Sequence, residues 1–385
     1  MPSIILKPNK EHRLVAGHAW VYAGEIGRIT GAVKDGDAVD IRDHKERFLG
    51  RGLLNRQSQI TVRRVTMNKE EIDRLFFRRR ITAANSYRTG DTYRVVFSEA
   101  DQLPGLIVDR FGDVLVLQAL TLGIDQRKSI IIEVLRDLFN PTAIVERSDV
   151  PSRKLEGLTE TKGVIAGKLE GKTKITLSGV HFEADLLEDQ KTGFFLDQAE
   201  NYATVAKYCT GKRVLDCFSY HGGFALFAGK AGAKTVEAVE ISEPAIARAR
   251  VNAELNDLTG KIEFQCVNAF DMLKKSDTLK RQYDMIILDP PTFTRTKQNV
   301  DAALRGYKEI NLRALKMLTP GGMLATFSCS HHVPLDLLRA VAVEAAADAH
   351  RTIRLVKTLT QAADHPILPA IPETEYLNGL LLQTV

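Results

Sequence analysis

The sequence predicts an α/β protein: a doubly wound parallel sheet over residues 173–385, preceded by a small β-barrel over 1–68 and a small α+β module over 69–172. Three observations predict it. Short strand-like runs at the start are separated by Gly and Asp-Gly turns, as in GAVKDGD. Toward the end, apolar β-rich runs alternate with helical segments and lack strict polar alternation, as strands covered on both faces do. Within that half, the run Val214–Asp216 ends in an acid, and Gly222 and Gly223 then open a helix, the pattern of a ligand-binding first turn.

Residues 1–67 give the strands SIILK, AWVYAGEI, AVDIRD, FLGRGLLN and QITVRRV, short and evenly spaced as in a barrel. From Lys69 the pattern turns helical, with Asn68 as the expected cap and Glu70 and Glu71 in the first turn. Ile72, Leu75, Phe76 and Ile81 share the apolar face, and Arg78, Arg79 and Arg80 lie toward the polar side. The segment YRVVFSEADQLPGLIVDRFGDVLVLQAL reads as strands, IDQRKSIIIEVLRDLF as an amphipathic helix and TAIVERSD as a further strand. KITLSGVHFEADLL reads as a hairpin, and a helix follows Leu196. The strands KRVLDCF, TVEAVEI, KIEFQCV, YDMIILD, GMLATFS, RTIRLVKTL and YLNGLLLQT then alternate with helices.

With 44% hydrophobic and 26% charged residues, the 385-residue chain has an ordinary soluble balance. No stretch reaches the length of an uncharged membrane span, and the first residues meet charge too early for a secretory leader. Four separated cysteines, with no CxxC pair, argue against a disulfide framework and predict a reducing, cytoplasmic setting. The net charge of +5 is unevenly spread: residues 1–94 hold 19 Lys and Arg against 11 Asp and Glu, the remainder 34 against 37. A basic front on a near-neutral body suits a polyanion partner, although a solvated basic surface has the same composition.

The chemistry concentrates at strand tips. Asp216 precedes the glycine turn, and the next strand ends in Glu240, whose carboxylate can accept from both hydroxyls of a ribose. Nicotinamide enzymes share that geometry, but their three spaced glycines are absent, and Asp216 suits a cationic ligand better than a pyrophosphate. The third tip offers Asn268, Ala269 and Phe270 to an adenine; taken alone, Asn268 is also a turn former and Phe270 a core residue. The fourth ends in Asp289-Pro290-Pro291-Thr292-Phe293, where the prolines stiffen a loop holding one carboxylate and one ring for a planar base. The fifth carries Cys329 between serines and ahead of His331 and His332. Adjacent histidines on a loop converge poorly on one ion, so no metal is expected. Cys217 and Cys266 lie in apolar strand runs and are read as small buried hydrophobes. A thiolate at a polar tip is a nucleophile, and its attack on carbon-6 of a pyrimidine makes carbon-5 able to take a methyl group.

These motifs resemble the bacterial and archaeal methyltransferases that make 5-methylcytosine in large-subunit ribosomal RNA. GHAWVYAGEI, QKTGFFLDQ, DCFSYHGGFA, LDPPTF, SCSHHV and the tail HPILPAIPETEYLNGLLL carry the resemblance over essentially the whole chain. It implies a PUA domain, a central α+β domain and a class I methyltransferase domain with a Rossmann-like seven-stranded sheet, using S-adenosylmethionine. It implies Phe195 and Gln198 near the methionine end of that cofactor, Asp216, Phe218, Ser219 and Gly222 as its turn, Glu240 for the ribose, and Asn268 with Ala269 for the adenine. Asp289 would orient the target base beside Pro290 and Phe293, and Cys329 would be the nucleophile. Asn268 departs from an aspartate common in such enzymes, and Thr292 stands where many RNA cytosine-5 enzymes carry a second cysteine. The base that removes the carbon-5 proton is left unassigned.

The resemblance also implies ribosomal RNA, free or in a large-subunit precursor, as partner, no membrane, and compatibility with a homodimer. Arg51, Arg56, Arg63, Arg64, Arg78, Arg79 and Arg80 are the candidates for gripping phosphates. Trp20 and Tyr22 are candidate stacking residues, with core packing the stronger expectation for Trp20. Two other readings compete: methylation at a nitrogen such as guanine-7, which needs no thiol, and a non-catalytic RNA-binding assembly factor.

Overall fold

Six short strands open the chain in the computed structural model, which describes residues 1–294 and 297–385. They are β1 (Ser3–Leu6), β2 (Trp20–Val21), β3 (Ile26–Thr30), β4 (Ala38–Arg42), β5 (Phe48–Leu54) and β6 (Val62–Thr66), with a one-turn helix α1 (His12–Val15) after β1. Their order in the sheet is β2-β6-β5-β4-β1-β3. AWVYAGEI is therefore not one strand. The Glu25 carboxylate accepts the Tyr22 amide at 2.8 Å and holds a tight turn, and extended backbone resumes at Ile26. Alternation along β5 and β6 lets one sheet serve two cores. Leu54 and Val62 join Ile4, Leu6, Val21, Val39 and Ile41 inside the barrel, while Leu53 and Val65 pack with the following module.

That module comprises α2 (Arg74–Asn85), a one-turn α3 (Leu122–Asp125), α4 (Lys128–Phe139), and the strands β7 (Thr92–Phe97), β8 (Leu106–Phe111), β9 (Val114–Ala119), β10 (Ala143–Ser148) and β11 (Thr161–Gly167), in the order β11-β10-β9-β8-β7. Helix α4 buries Ile131, Val134 and Leu135, one face at helical spacing. Helix α2 starts later than the sequence suggests. Asp73, not Asn68, caps it by accepting the Phe76 amide at 2.9 Å. Phe76, Phe77, Ile81 and Ala84 form its buried stripe, while Leu75, expected inside, is 68% exposed.

Several arginines expected to meet RNA are committed internally. Arg51 is buried, paired with Asp40 at 3.0 Å and donating to the Glu70 carbonyl. Arg64 is buried and donates to the Leu14 and Leu49 carbonyls; burial lowers its pKa. Arg63 is nearly buried against Glu156 at 2.9 Å. Arg80 donates to Gln102 and to the Val65 carbonyl. The phosphate-grip expectation fails for Arg51 and Arg64, whose guanidinium forks point inward to satisfied partners. Arg56, Arg78 and Arg79 remain on the surface, where they pair with Asp35, Asp137 and Glu70. The Trp20 indole N–H donates to Glu99 at 2.9 Å.

Among the described residues the chain forms two compact units. One comprises Met1–Ile175, Ala184–Leu196 and Ala363–Thr374; the other comprises Thr176–Glu183, Asp197–Ala362 and Glu375–Val385. In the first unit, Arg94 and Asp109 form a buried two-bond pair at 2.7 and 2.8 Å, and the Thr192 hydroxyl donates to the same carboxylate at 2.5 Å. The pair thus ties the segment before Leu196 to β8. No helix among the described residues is long and apolar enough to cross a membrane.

A hairpin, β12 (Thr173–Leu177) and β13 (Val180–Ala184), precedes α5 (Ala199–Ala206). The second unit is then built on β14 (Arg213–Cys217), β15 (Thr235–Glu240), β16 (Ile262–Cys266), β17 (Tyr283–Leu288), β18 (Leu318–Ser328), β19 (Ile353–Thr360) and β20 (Asn378–Thr384). Its helices are α6 (Gly223–Lys230), α7 (Glu243–Glu254), α8 (Ala269–Thr278), α9 (Val300–Met317) and α10 (Leu335–Asp348). The strand order is β16-β15-β14-β17-β18-β20-β19, parallel from β16 to β18 and antiparallel at β20. The chain reverses its direction of growth between β14 and β17, so a ligand crevice is expected outside their carboxyl ends. Helix α7 and the residues just past its end dock on β13 through side-chain amides: Asn256, beyond the helix cap, bonds both the N–H and the C=O of His181, and Asn252 within it accepts from the Glu183 amide and donates to the His221 carbonyl.

Candidate active site

The turn after β14 is unusually bent. Phe218, Tyr220 and Gly222 all take left-handed conformations, with φ of 65°, 48° and 83°. Two of these residues are aromatic and carry a steric cost there, of the kind that gathers at functional sites. Glycine is required next door, because a Cβ on Gly223 would lie 2.6 Å from the Tyr202 ring of α5. The Ser219 amide donates to Val239 O and the Tyr220 amide to Glu240, pinning the turn to β15.

Carboxylates dominate this end of the sheet. Asp216 is fully buried; one oxygen accepts the Ala225 amide at 3.0 Å, and the other has no hydrogen-bond partner among the described residues. Burial, with the charges of Asp289 and Glu240 added, holds its pKa well above the usual carboxylate range. Glu240 accepts from the Tyr220, Ile241 and Ser242 amides at 2.9–3.0 Å. Three amides do not exhaust the roughly four acceptor sites of a carboxylate, so hydroxyl donors can still be received. Asp289 accepts from Gln198 at 2.9 Å, and Gln198 in turn accepts from Asn201 at 2.6 Å. The buried Ser219 hydroxyl also lacks a partner among the described residues. Mutually repelling carboxylates, an open carboxyl oxygen and an open hydroxyl suit a cationic, polar ligand.

The third tip is a helix cap as well as a candidate contact. Asn268 accepts the Phe270 amide at 2.9 Å and starts α8, so an amide performs the capping as an aspartate would. Ala269 is buried and Phe270 is partly exposed. Aromatic rings run from Phe218 to Phe270 at 6.1 Å, on to Phe293 at 5.8 Å and to Tyr307 at 4.6 Å.

The loops after β17 and β18 meet. Cys329 is half-buried; its Sγ lies 3.1 Å from the Thr292 hydroxyl and 3.7 Å from the Pro290 carbonyl. The Ser330 hydroxyl donates to Thr294 O at 3.0 Å, a second tie between the loops. Gln198, Asp216, Phe218, Ser219, Gly222, Glu240, Asn268, Ala269, Asp289, Pro290, Phe293 and Cys329 all fall at the carboxyl ends of the strands or the start of α5 in this unit. Phe195 belongs to the other unit, where its ring lies under Lys191 Nζ at 4.2 Å. Cys266, expected to be a buried hydrophobe, is exposed at the end of an edge strand, with Sγ 3.4 Å from Ile241 O. Sequence reasoning missed Tyr202 and Asn201, which have no motif of their own, and gave Thr292 no role, although its place after two prolines was a signal.

Residues 4–67 match the family described as PUA-like domain. Residues 162–381, more than half of the chain, match the family described as S-adenosylmethionine-dependent methyltransferase. The chain belongs to the S-adenosylmethionine-dependent methyltransferases. This methyltransferase is 42% identical over 391 residues to Ribosomal RNA large subunit methyltransferase I of Shewanella denitrificans, covering 98% of each chain. It is 39% identical over 388 residues to the protein of that name from Klebsiella pneumoniae, covering 98% of this chain and 97% of the relative. A solved Streptococcus mutans structure, described as a SAM-dependent methyltransferase, shares the fold at 18% identity, with a TM-score of 0.83 and 100% coverage of both chains. The expected PUA-like front, methyltransferase sheet and S-adenosylmethionine cofactor are thus borne out, and the acid-lined turn of this methyltransferase fits a sulfonium donor.

Proposed function

We propose that this methyltransferase modifies carbon-5 of a cytosine in large-subunit ribosomal RNA through a covalent bond to Cys329. The names of its relatives support the RNA class. One observation carries the carbon-5 chemistry: the Cys329 sulfur sits at the tip of β18, against the Asp289–Phe293 loop of the neighbouring β17, at the ligand edge of the sheet.

On this reading Asp216, Ser219, Gly222, Glu240, Asn268 and Ala269 hold S-adenosylmethionine, with Gln198 fixing Asp289 beside it. When bound, that cofactor supplies an electrophilic methyl group. Asp289, a pure acceptor, selects the amino edge of cytosine over the carbonyl edge of uracil, and Phe293 offers a stacking face. The Cys329 thiolate adds to carbon-6; the C5=C6 electron pair then makes carbon-5 the nucleophile. After methylation a base removes the carbon-5 proton, the C6–S bond breaks, and its electron pair returns to sulfur as the double bond reforms. Residues 1–68 would grip folded RNA, 69–172 would add the basic helix with Arg78 and Arg79, and 173–385 would carry the chemistry on a flipped nucleotide.

RNA containing 5-fluorocytosine tests this directly. Fluorine cannot leave as a proton does, so the wild type is expected to accumulate a covalent protein–RNA adduct on denaturing gels, and C329A to form none while still binding S-adenosylmethionine. Methyl transfer without any adduct would favour nitrogen chemistry.

A further inference from the structure

We infer that Thr292 is the positioning residue of the Cys329 thiolate, its hydroxyl donating a hydrogen bond to Sγ once the thiol ionises. The inference rests on the reading of Cys329 as nucleophile. The Thr292 hydroxyl is 3.1 Å from Sγ, within sulfur hydrogen-bond range, and 3.5 Å from its other acceptor, the Cys329 carbonyl. In the thiol form S–H points to the Pro290 carbonyl at 3.7 Å. A carbonyl has no proton to give. When the thiol proton leaves to solvent, the Pro290 carbonyl can no longer bond the sulfur, and the hydroxyl turns its donor to the new charge. Hydrogen bonds to an ionised acceptor are about twice as strong as neutral ones, so the ionised form gains most.

The geometry is imposed from both sides. Pro290 and Pro291 fix the backbone leading into Thr292, and the Ser330–Thr294 bond ties the loops beyond it. Among the described residues, the titratable groups nearest the sulfur along the chain or in the site are Asp289 on the facing loop, Tyr307 on α9, and His331 and His332, which follow the cysteine in sequence. Burial, with Cys329 and Asp289 adding to it, raises the pKa of Tyr307 and keeps it a neutral phenol. Thr292 is uncharged, so replacing it alters the hydrogen bond to sulfur without altering the charge on any of these groups.

The test is the pH profile of iodoacetamide alkylation at the Cys329 peptide, read by mass spectrometry so that exposed Cys266 is scored separately. Full-length wild type, Thr292→Val and Thr292→Ser are compared without RNA. Thr292→Val is expected to move the midpoint up by about one pH unit, leaving about tenfold less thiolate below it. Thr292→Ser is expected to restore the wild-type profile, and the Cys266 profile is expected to stay put in all three. A Thr292→Val profile that superimposes on the wild type, or a Thr292→Ser profile that follows Thr292→Val, overturns the inference. Wild-type protein that forms no adduct with 5-fluorocytosine RNA overturns the carbon-5 reading instead, and the RNA-free profile separates the two failures.

Discussion

The two units treat buried charge in opposite ways. In the first, Arg94 and Asp109 close on each other through two bonds, and Arg51 closes on Asp40. In the second, Asp216 is as deeply buried, yet one of its oxygens has no partner among the described residues, and its charged neighbours are the like charges of Asp289 and Glu240. A buried ion pair that satisfies itself is framework. A buried carboxyl that faces its own kind is poised for a ligand, because only an added cation or donor relieves it. Arginine-rich sequence is thus a weaker guide to ligand binding here than a carboxyl left open.

Breaking a closed pair should have the largest effect. Asp109→Asn removes the charge that takes both guanidinium bonds from Arg94, leaving Asp364 as a remaining acid beside it, and weakens the acceptor of the Thr192 hydroxyl. The expected loss is about 3–5 kcal/mol, read as a fall in the urea midpoint at unchanged slope. A loss under about 1 kcal/mol would show that water or a neighbour replaces the pair, and the contrast between the units would lose its first half.

Acid comes next. Burial and the nearby Arg248 hold the His221 pKa down at about 3, against 6.5 for the free side chain. The folded state refuses a proton that the unfolded chain accepts. The stabilisation is therefore complete above about pH 6.5 and lost as pH falls toward 3, on the order of a few kcal/mol in all. The His221→Phe variant keeps the stack on Tyr220, at 3.6 Å between centroids in the wild type, and is expected to flatten this window in chemical unfolding. Asp216 has the opposite sign: its folded pKa is raised, so its contribution is largest below about pH 4 and is lost as pH rises through the folded value.

The open carboxyl should show a smaller effect of a different kind. Asp216→Asn replaces a buried carboxyl that the fold leaves half-partnered, so the unfolding midpoint should hold or rise while S-adenosylmethionine binds about tenfold more weakly, or about 1.4 kcal/mol. Calorimetry alongside urea unfolding separates the two readouts. A variant that loses stability and keeps its affinity would make Asp216 a framework residue like Asp109.

What the sequence revealed follows the same division. Strands β14, β17 and β18 were legible because burial in the middle of the sheet writes itself as apolar runs, whereas β15 and β16 carry acids or amides among their apolar residues; the site tips were legible because acids and prolines end the runs. The start of α2 was not: Asn68 and Asp73 are both good caps, and the choice is made by which phase buries Phe77 rather than Leu75. Arg51 and Arg64 read as surface cations because the residues that satisfy them come from elsewhere in the chain, out of reach of any local pattern. Thr292 gained its meaning only when β18 was placed beside β17. Cys266 looked buried because its strand is apolar, but that strand lies at the sheet's edge.

The smallest stability effect, and the sharpest check on the basic front, belongs to Arg56 and Arg79. Both are at least half exposed at the side chain and pair with single acidic partners. Exposed pairs of this kind contribute about 0–1 kcal/mol, so Arg56→Ala and Arg79→Ala should unfold nearly as the wild type does. Their effect should appear in the salt dependence of RNA binding. Removing one cation that neutralises a phosphate should flatten the plot of log K against log salt by about 0.7–0.9, with affinity falling evenly across RNA sequences because phosphates carry no base identity. An unchanged slope in both variants would mean that their guanidinium groups stay with Asp35 and Glu70 when RNA binds. The front of the chain would then keep its arginines paired as its interior does, and the polyanion face would have to be sought on other cations.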